Sequence, residues 1–225
     1  MMISKGYVIN LERSKARLET FNKHPDSALF ERVDAVDGQV LSKIDGIEKL
    51  LFDSSKIHQK YYRAPVKIGE ICCTLSHIKC WETAINDITI GDNDFVIIAE
   101  DDVLLCENFK TRVNEISLGN EVDLVILQKL GNRQTFYKNR VANDDTSLLS
   151  LHILTMYHEY NNDGSALYLI RKSRMRKIIS RFKDRKPNFL ADEFTEICDG
   201  DRIRIIDPLL GYIAEDNISD IHYEG

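Results

Sequence analysis

The sequence predicts an α/β protein in which helices cover both faces of a sheet, and three stretches carry this prediction. Residues 95–99 form a continuous apolar run, rich in β-branched side chains and bounded by polar ones, and residues 123–128 contain a second such run. Runs of this kind are typical of strands buried on both faces, as in a parallel sheet. Residues 69–86 instead repeat apolar positions at helical spacing, which predicts a helix that packs on the sheet.

Composition and charge place the chain among ordinary globular proteins. Its 225 residues are 43% hydrophobic and 29% charged, which is enough apolar material to bury a sizeable core. The net charge of −6 argues against a general nucleic-acid binder, since such proteins need a basic surface. There are only four prolines and no low-complexity tract to mark a linker. We therefore predict a single domain over residues 1–225.

The cysteines and the N-terminus predict a cytoplasmic location. The five cysteines are odd in number, and Cys72, Cys73 and Cys80 are bunched, so the pattern does not indicate a disulfide framework. Free thiols are typical of a reducing compartment. The first residues lack the apolar segment of a signal peptide, and no apolar run is long enough to span a membrane.

The remaining elements follow from apolar spacing and turn signals. Ser173 is predicted to cap the helix that follows it. Residues 39–67 are polar and mixed, and residues 129–147 are predicted to form a loop over the site. The other predicted elements are strands at residues 6–10, 30–35, 148–155, 164–170 and 202–206, and helices at residues 11–23 and 108–116.

Three carboxylates, Glu100, Asp101 and Asp102, follow the apolar run directly. We refer to them as the acidic triplet. Unpaired charges are costly to bury, so we expect the triplet where the strand ends rather than inside the sheet. In open α/β sheets that edge is the crevice where ligands bind. Clustered carboxylates there suit Mg2+ or Mn2+ bridging to a phosphate, and a solvated acidic turn is the alternative interpretation.

Residues upstream of the triplet fit a nucleotide-binding cradle. A first strand ends at Asn10, and the predicted helix after it carries Arg13 and Arg17 in its first turns. Asp34 near the end of the second predicted strand, and Asp37 just after it, are placed where a carboxylate can meet a ribose or a base. An amphipathic helix and turn-capping aspartates account for the same residues. For the helix that carries Arg13 and Arg17, the residues alone favour an ordinary amphipathic helix over a nucleotide-binding role.

Cys73, His77 and Cys80 lie on one face of the predicted helix, at positions i, i+4 and i+7. Three such side chains are compatible with part of a zinc site. The sequence offers no fourth ligand, and cysteine is among the most buried residue types, so core packing is the favoured interpretation. His77 pointing at a diphosphate is a further alternative.

Two acidic residues near the C-terminus are candidates for a general base. Asp192 and Glu193 lie inside an apolar frame, which raises a carboxyl pKa as a base requires. A helix N-cap at Asp192 is the alternative. His222 is a candidate for an extra metal or phosphate ligand, or else part of a frayed tail.

Residues 171–186 form a basic segment in an acidic chain. A basic amphipathic helix predicts docking on an anionic membrane surface or an anionic acceptor, and a solvated helix face is an equal alternative. The basic residues are Arg171, Lys172, Arg174, Arg176, Lys177, Arg181, Lys183, Arg185 and Lys186.

Several of these stretches, taken in order, resemble the motifs of glycosyltransferase family 25, the bacterial lipooligosaccharide and lipopolysaccharide glycosyltransferases. The chain departs from the pattern at Cys72, where relatives usually carry glycine. No single motif is specific, but their order over most of the chain is. The matching stretches are residues 7–11 with Arg13 and Arg17, residues 32–38, residues 69–77, the acidic triplet, residues 164–170 and Asp192.

The resemblance implies a GT-A type fold, with a Rossmann-like mixed sheet flanked by helices, and inversion at the anomeric carbon. It also implies a UDP-sugar donor, commonly UDP-galactose, and a lipooligosaccharide or related glycan acceptor. The basic segment adds the expectation of peripheral inner-membrane contact through residues 171–186. The expected cofactor is Mn2+ or Mg2+, held by Asp102, Glu100 and, by analogy with GT-A enzymes in general, His222. The expected donor-binding residues are Asn10, Leu11, Arg13, Arg17, Asp34, Asp37, Gly69, Ser76, His77, Glu100 and Asp101, and the expected catalytic residues are Asp192 and Glu193.

Two other functions stay open on the sequence alone. A phosphatase of the haloacid dehalogenase class also places carboxylates after an apolar strand, but it needs an aspartate nucleophile where this chain has Glu100. A non-catalytic sugar-nucleotide or membrane-binding module would bind the donor without turnover. The donor sugar, the acceptor linkage and the oligomeric state are not fixed by the sequence.

Overall fold

The computed structural model describes residues 3–57, 65–128, 148–153 and 164–213. The strands in these ranges are β1 (Ile3–Asn10), β2 (Phe30–Asp34), β3 (Phe95–Glu100), β4 (Val103–Leu105), β5 (Leu124–Ile126), β6 (Ser150–Ile153), β7 (Leu167–Arg171), β8 (Ile203–Asp207) and β9 (Gly211–Ile213). Seven of them form one mixed sheet in the order β2-β1-β3-β7-β5-β8-β6, and β4 pairs with β9. Helices flank the sheet, which confirms the predicted mixed α/β class.

The α-helices in the described ranges differ greatly in length. They are α1 (Lys15–Phe21), α2 (Gly38–Leu41), α3 (Ile47–Leu51), α4 (Ile68–Asn86), α5 (Phe109–Asn114), α6 (Lys172–Ile179) and α7 (Phe194–Ile197). Short 3-10 segments occur at Pro25–Leu29, Ser54–Lys56, Ser180–Lys183 and Gly200–Arg202.

Strand β3 is buried from Phe95 to Ala99, as its apolar run predicts. It pairs in parallel with β1 and antiparallel with β7. The expectation of parallel neighbours is therefore wrong on one side. Burial on both faces depends on the helices that cover a sheet, and it does not fix the direction of each neighbouring strand.

Helix α4 is the longest helix of the described chain and matches its prediction closely. The Glu70 carboxylate accepts the Lys67 N–H at 2.7 Å, which satisfies a donor just ahead of the first helical residue. Cys80, Trp81 and Ala84 on this helix are fully buried in the main hydrophobic core. Core packing, the favoured interpretation of Cys80, is thereby confirmed.

Two predicted helix starts are wrong. The first helix begins at Lys15 rather than residue 11, because the Ser14 N–H donates to the Leu11 carbonyl and closes a turn. Arg171, not Ser173, precedes the first residue of α6. The Ser173 N–H donates instead to the carbonyl of Asp92, which fastens the start of α6 to the loop before β3.

Residues 38–57 contain α2 and α3, although residues 39–67 are polar and mixed and no element was predicted for them. The pair of β4 and β9 was also missed, since three-residue strands carry too little periodicity to recognise. Gly211 in that pair is closely packed against β7, because a Cβ atom there would lie 2.7 Å from Leu167 Cδ2. The predicted loop at residues 129–147 lies outside the described residues.

Three members of the basic segment are buried, so they do not form a solvated or membrane-facing surface. Lys172 donates to the carbonyls of Asp87 and Ile90, and the Arg174 Nε–H donates to the carbonyl of Ile197. Arg171 is likewise buried. The prediction of an outward basic face is wrong for these residues, because their cationic groups serve as donors to backbone carbonyls. Within the described ranges, no helix combines the length and apolar character of a membrane span.

Arg171 belongs to a buried ion pair at the amino-terminal end of β5. Asp123 Oδ1 lies 3.2 Å from Arg171 Nε, and Asp123 Oδ2 lies 2.6 Å from Arg202 Nε. Burial raises the pKa of Asp123, but the hydrogen bond and charges from Arg202 and Arg171 outweigh it, so its net pKa is lowered. Asp123 is therefore ionised in the folded protein at neutral pH.

We expect Asp123→Asn to lower the free energy of unfolding by about 3–5 kcal/mol at pH 7, because it leaves Arg171 buried without its counter-charge. The lowered pKa makes this contribution fully present above the ordinary aspartate pKa of about 3.9. It is lost as the pH falls through the folded-state pKa, so the difference from wild type should shrink in acid. Urea unfolding at several pH values measures this. Asp201→Asn, on an exposed side chain, is the control, and equal effects of the two variants would contradict the prediction.

Candidate active site

The carboxyl ends of β1 and β3 meet at one edge of the sheet, because these strands are parallel neighbours. Asn10 ends β1, Glu100 ends β3, and Asp101 and Asp102 form the turn that follows. The Asp101 N–H donates to the carbonyl of Ile9 at 3.2 Å and ties this turn to β1. The acidic triplet thus lies at the strand end, where the sequence predicts it.

Helix α1 brings Arg17 to the triplet. Its Nη2 atom lies 2.5 Å from Asp101 Oδ1 and 2.9 Å from Asp102 Oδ2. On the other side, Asn10 Nδ2 donates to Asp101 Oδ2 at 2.6 Å. Asn10 is 2% exposed and also donates to the Ser14 carbonyl. Asn10 therefore links Asp101 to the turn that precedes α1.

The triplet carries more negative charge than Arg17 offsets, and its carboxyl groups respond in opposite ways. Burial and the charge of Glu100 raise the pKa of Asp102 to about 7, although Arg17 lowers it. Burial also raises the pKa of Glu100, but the hydrogen bonds from His77 and Ser165 and the charge of Arg17 outweigh it, and the net pKa is lowered. Glu100 therefore keeps its charge at neutral pH while Asp102 begins to take up a proton.

Two side chains from other elements hold Glu100. Its Oε1 atom accepts from the Ser165 hydroxyl at 3.0 Å and lies 3.2 Å from His77 Nε2. Ser165 precedes β7, and the φ of +114° at Gly164, a backbone conformation that favours glycine, sets the chain direction there. His77 projects from α4 and is 1% exposed.

Cys73, His77 and Glu100 form a compact group, with one potential ligand atom from each within 4.8 Å of the others. The group differs from the predicted set of Cys73, His77 and Cys80, because Glu100 takes the place of Cys80. Burial raises the pKa of the Cys73 thiol well above its ordinary value, and the charges of Glu100, Asp192 and Asp102 raise it further. The thiol therefore holds its proton at neutral pH.

An open cleft lies over the triplet. Its walls come from the turn after β1, the segment after β2 and the first turns of α4. The predicted donor-binding and metal-binding residues that line it are Leu11, Arg13, Arg17, Gly69, Ser76, His77, Glu100, Asp101 and Asp102. The structure thus brings nine of the predicted site residues together.

The other predicted donor-binding residues lie beside the cleft. Asp37 accepts the Gln39 N–H at 2.8 Å and pairs with Arg13 at 2.7 Å, so it caps α2 and orients Arg13 at the cleft wall. Asp34 is 59% exposed, pairs with Arg32 and does not line the cleft.

Asp192 and Glu193 directly precede α7, outside the lining of the cleft. Glu193 Oε2 accepts the Leu190 N–H at 2.6 Å, which closes a turn. Glu193 also occupies the N-cap position, so the alternative of an N-cap at Asp192 is wrong. Asp192 is close enough to Cys73 for its charge to affect that thiol. His222 lies outside the described residues.

Two residues of this site were not singled out from the sequence. Ser165 was only one of the small residues ahead of a strand, and Tyr168 was only one member of an apolar run. A signal existed for Tyr168, since a tyrosine in a fully buried strand needs a partner for its hydroxyl. That partner is His77 Nδ1, at 2.9 Å.

Relatives of known sequence match parts of the chain. It is 34% identical over 122 residues to a glycosyltransferase 25 family member of Aedes aegypti, an alignment covering 52% of this chain and 19% of that protein. It is 28% identical over 137 residues to a candidate glycosyltransferase of Haemophilus influenzae, covering 59% of this chain and 44% of that protein. The matched region thus spans less than half of either relative.

Among solved structures, the chain resembles the galactosyltransferase LgtC in complex with donor and acceptor sugar analogues. The TM-score is 0.44 at 16% identity, covering 91% of this chain and 73% of that one. The family profile described as glycosyltransferase family 25 (LPS biosynthesis protein) matches residues 3–195, which is most of the sequence. The chain therefore belongs to glycosyltransferase family 25.

Proposed function

We propose that this protein is an inverting, metal-dependent glycosyltransferase. It moves a hexose from a UDP-sugar, with UDP-galactose as the first candidate, onto a lipooligosaccharide or related bacterial glycan. The observation that carries the proposal is the cleft whose floor is the acidic triplet and whose wall includes Arg13 and Arg17. Family membership supports the reaction class. A sugar-nucleotide panel with Mn2+, scoring UDP release with and without glycan acceptors, tests the donor and the acceptor.

The donor atoms of the triplet fit a divalent cation. Carboxylate oxygens are the ligands that Mn2+ and Mg2+ prefer. Arg17 pairs with only two of the three carboxylates, which leaves an excess of negative charge. Asp102 would be the principal ligand, with Glu100 beside it. A bound cation of this kind supplies charge neutralisation for the departing diphosphate.

The nucleotide part of the donor would lie between the turn after β1 and the start of α4. Arg13, oriented by Asp37, is placed to pair with a phosphate, and Gly69 leaves room at the helix start. Cys72 lines the same wall, so a ligand there meets a sulfur atom rather than the bare backbone that glycine would offer.

Asp192 is the proposed general base. It would take the proton from an acceptor hydroxyl as the oxygen attacks the anomeric carbon from the face opposite the leaving group. The new glycosidic bond forms as the bond to the UDP oxygen breaks, and the electron pair leaves with UDP. The Glu193 carboxylate accepts the Leu190 N–H. Its proposed role is therefore to stabilise the turn that carries Asp192.

The contacts of Glu100 favour a transferase over the phosphatase alternative. A phosphatase of the haloacid dehalogenase class needs a nucleophilic aspartate at this position. Glu100 instead has one oxygen hydrogen-bonded by Ser165 and approached by His77, an arrangement that suits a positioned ligand. A binding-only module would show donor binding without UDP release in the same panel.

The outer end of the basic segment is the proposed membrane contact. Lys183, Arg185 and Lys186 are exposed after α6, unlike the buried residues at its start. We expect the triple substitution of these residues to glutamine to lower binding to phosphatidylglycerol vesicles, at about 1 kcal/mol per lost charge at low salt. Vesicle sedimentation measures this. Lys15→Gln, on an exposed side chain of α1, is the control, and unchanged sedimentation of the triple variant would rule out this contact.

We expect Asp102→Asn to weaken Mn2+-dependent UDP binding at least about tenfold while leaving the fold intact. The amide cannot supply the anionic oxygen that the cation needs. Titration calorimetry with and without Mn2+ gives the affinity, and circular dichroism checks the fold. Asp45→Asn, on an exposed side chain away from the cleft, is the matched control. Wild-type affinity in Asp102→Asn would remove Asp102 from the site.

Asp192→Asn should keep donor binding and lose about a hundredfold to ten-thousandfold in transfer rate, because an amide cannot accept the acceptor proton. Steady-state transfer to the acceptor found in the panel measures the rate. Glu193→Gln keeps an acceptor oxygen for Leu190 and should retain most activity. Near-normal turnover in Asp192→Asn, or an equal loss in both variants, would place the base elsewhere.

A further inference from the structure

We propose that Trp81, Tyr168 and His77 form a hydrogen-bond relay that holds Glu100 in one orientation at the floor of the cleft. His77 is the positioning residue of this relay and acts on a ligand through Glu100. The inference rests on the proposed function, since the orientation of Glu100 matters for a ligand bound at the triplet.

The relay begins at a group that can only donate. The Trp81 Nε1–H donates to the Tyr168 hydroxyl oxygen at 2.9 Å, and both side chains are fully buried. An indole nitrogen has no acceptor capacity. The Tyr168 oxygen must therefore accept in this bond, and its single proton is left for another partner.

His77 is that partner. Its Nδ1 atom lies 2.9 Å from the Tyr168 oxygen, and these are the two side-chain partners that the described residues give this hydroxyl. Burial raises the pKa of Tyr168 well above its ordinary value, so the phenol keeps the proton that it donates. A neutral imidazole that accepts at Nδ1 carries its hydrogen on Nε2. A doubly protonated ring would leave the Tyr168 proton facing a second N–H.

The Nε2–H of this tautomer faces Glu100 Oε1 at 3.2 Å and Ser165 Oγ at 3.3 Å, and the carboxylate is the anionic acceptor of the two. The Ser165 hydroxyl donates to the same oxygen at 3.0 Å, so two donors fix Oε1. No described residue hydrogen-bonds Oε2, and the Glu100 side chain is 21% exposed to the cleft. The relay thus leaves Oε2 as the atom that Glu100 offers to a ligand.

The same relay argues against a zinc ion between Cys73, His77 and Glu100, although their atoms are close enough to suggest one. Zinc would need the lone pair of His77 Nε2, which would move the ring hydrogen to Nδ1. That hydrogen would then face the Tyr168 oxygen, whose own proton would be buried without an acceptor. A buried donor left without an acceptor is destabilising.

The first test reads the tautomer directly, on metal-free protein. Nitrogen-15 NMR of labelled histidine should show His77 protonated at Nε2 and unprotonated at Nδ1 at neutral pH. Tyr168→Phe removes the donor to Nδ1 and should shift the ring toward a tautomer mixture. A ring protonated at Nδ1 in wild type, or a spectrum unchanged in Tyr168→Phe, would overturn the relay.

The second test measures what the relay does for a ligand. Tyr168→Phe should weaken Mn2+-dependent UDP binding about 10–100-fold, the range found for residues that orient metal ligands. Tyr7→Phe is the matched control, because Tyr7 is equally buried but its hydroxyl donates to Asp87, beyond the far end of α4. Equal affinities in the two variants would overturn the relay.

Substitutions of His77 separate positioning from packing. His77→Gln offers an oxygen to Tyr168 and an N–H to Glu100, so it should recover most of the affinity that His77→Leu loses. Stoichiometric zinc in the purified protein that disappears in Cys73→Ser would also overturn the proposal. If wild type fails to bind UDP with Mn2+, the proposed function is wrong, while the tautomer result still decides whether the relay exists.

Discussion

The complete burial of β3 is the constraint on which this structure depends. A strand with apolar side chains on both faces leaves charged groups only at its ends, and the acidic triplet lies at the carboxyl end. Concentrating three carboxylates there requires support from several elements. Arg17 comes from α1, Asn10 from β1, His77 from α4 and Ser165 from the start of β7. These contacts connect two helices and two strands to the single turn that carries the triplet.

The two ends of the sheet handle buried charge in different ways. At the end where β5 begins, Asp123 faces Arg171 and Arg202, and the remaining guanidinium hydrogens of Arg171 go to backbone carbonyls. The charged groups of that cluster are paired with one another and with backbone carbonyls. At the opposite end, Arg17 pairs with only two of the three carboxylates, and burial together with the charge of Glu100 raises the pKa of Asp102. Unbalanced charge beside an open cleft is what distinguishes a binding site from a structural ion pair.

The sequence was most informative where burial and periodicity are strong. The long helix α4, strand β3 and the position of the triplet were all predicted, because 19 residues at helical spacing and a fully apolar run are each compatible with few local structures. The pair of β4 and β9 was missed because three residues cannot show a period. The burial of Lys172 and Arg174 was missed because it depends on carbonyls that are distant in the sequence.

Much of the cleft lining could also be predicted, although the contacts within it could not. Motif order gave Arg13, Arg17 and Gly69, and the structure places all three at one cleft. Spacing on a helix suggested that Cys73 and His77 belong with Cys80, whereas the actual third member, Glu100, comes from a strand. Residues on one element can be grouped by period, but contacts between elements depend on packing that a single sequence does not display.

The two ends of helix α4 have different roles. Its first turns, with Gly69 and Cys72, form a wall of the cleft, while Cys80, Trp81 and Ala84 further along are sealed in the core. His77 lies between these two parts, since it lines the cleft and is also buried. Engineering of ligand preference therefore has a natural limit on this helix. Gly69, which is only partly buried, can be substituted to reshape the wall, whereas Ile71 and Cys72 are already buried. Changes beyond His77 would likewise trade stability for activity.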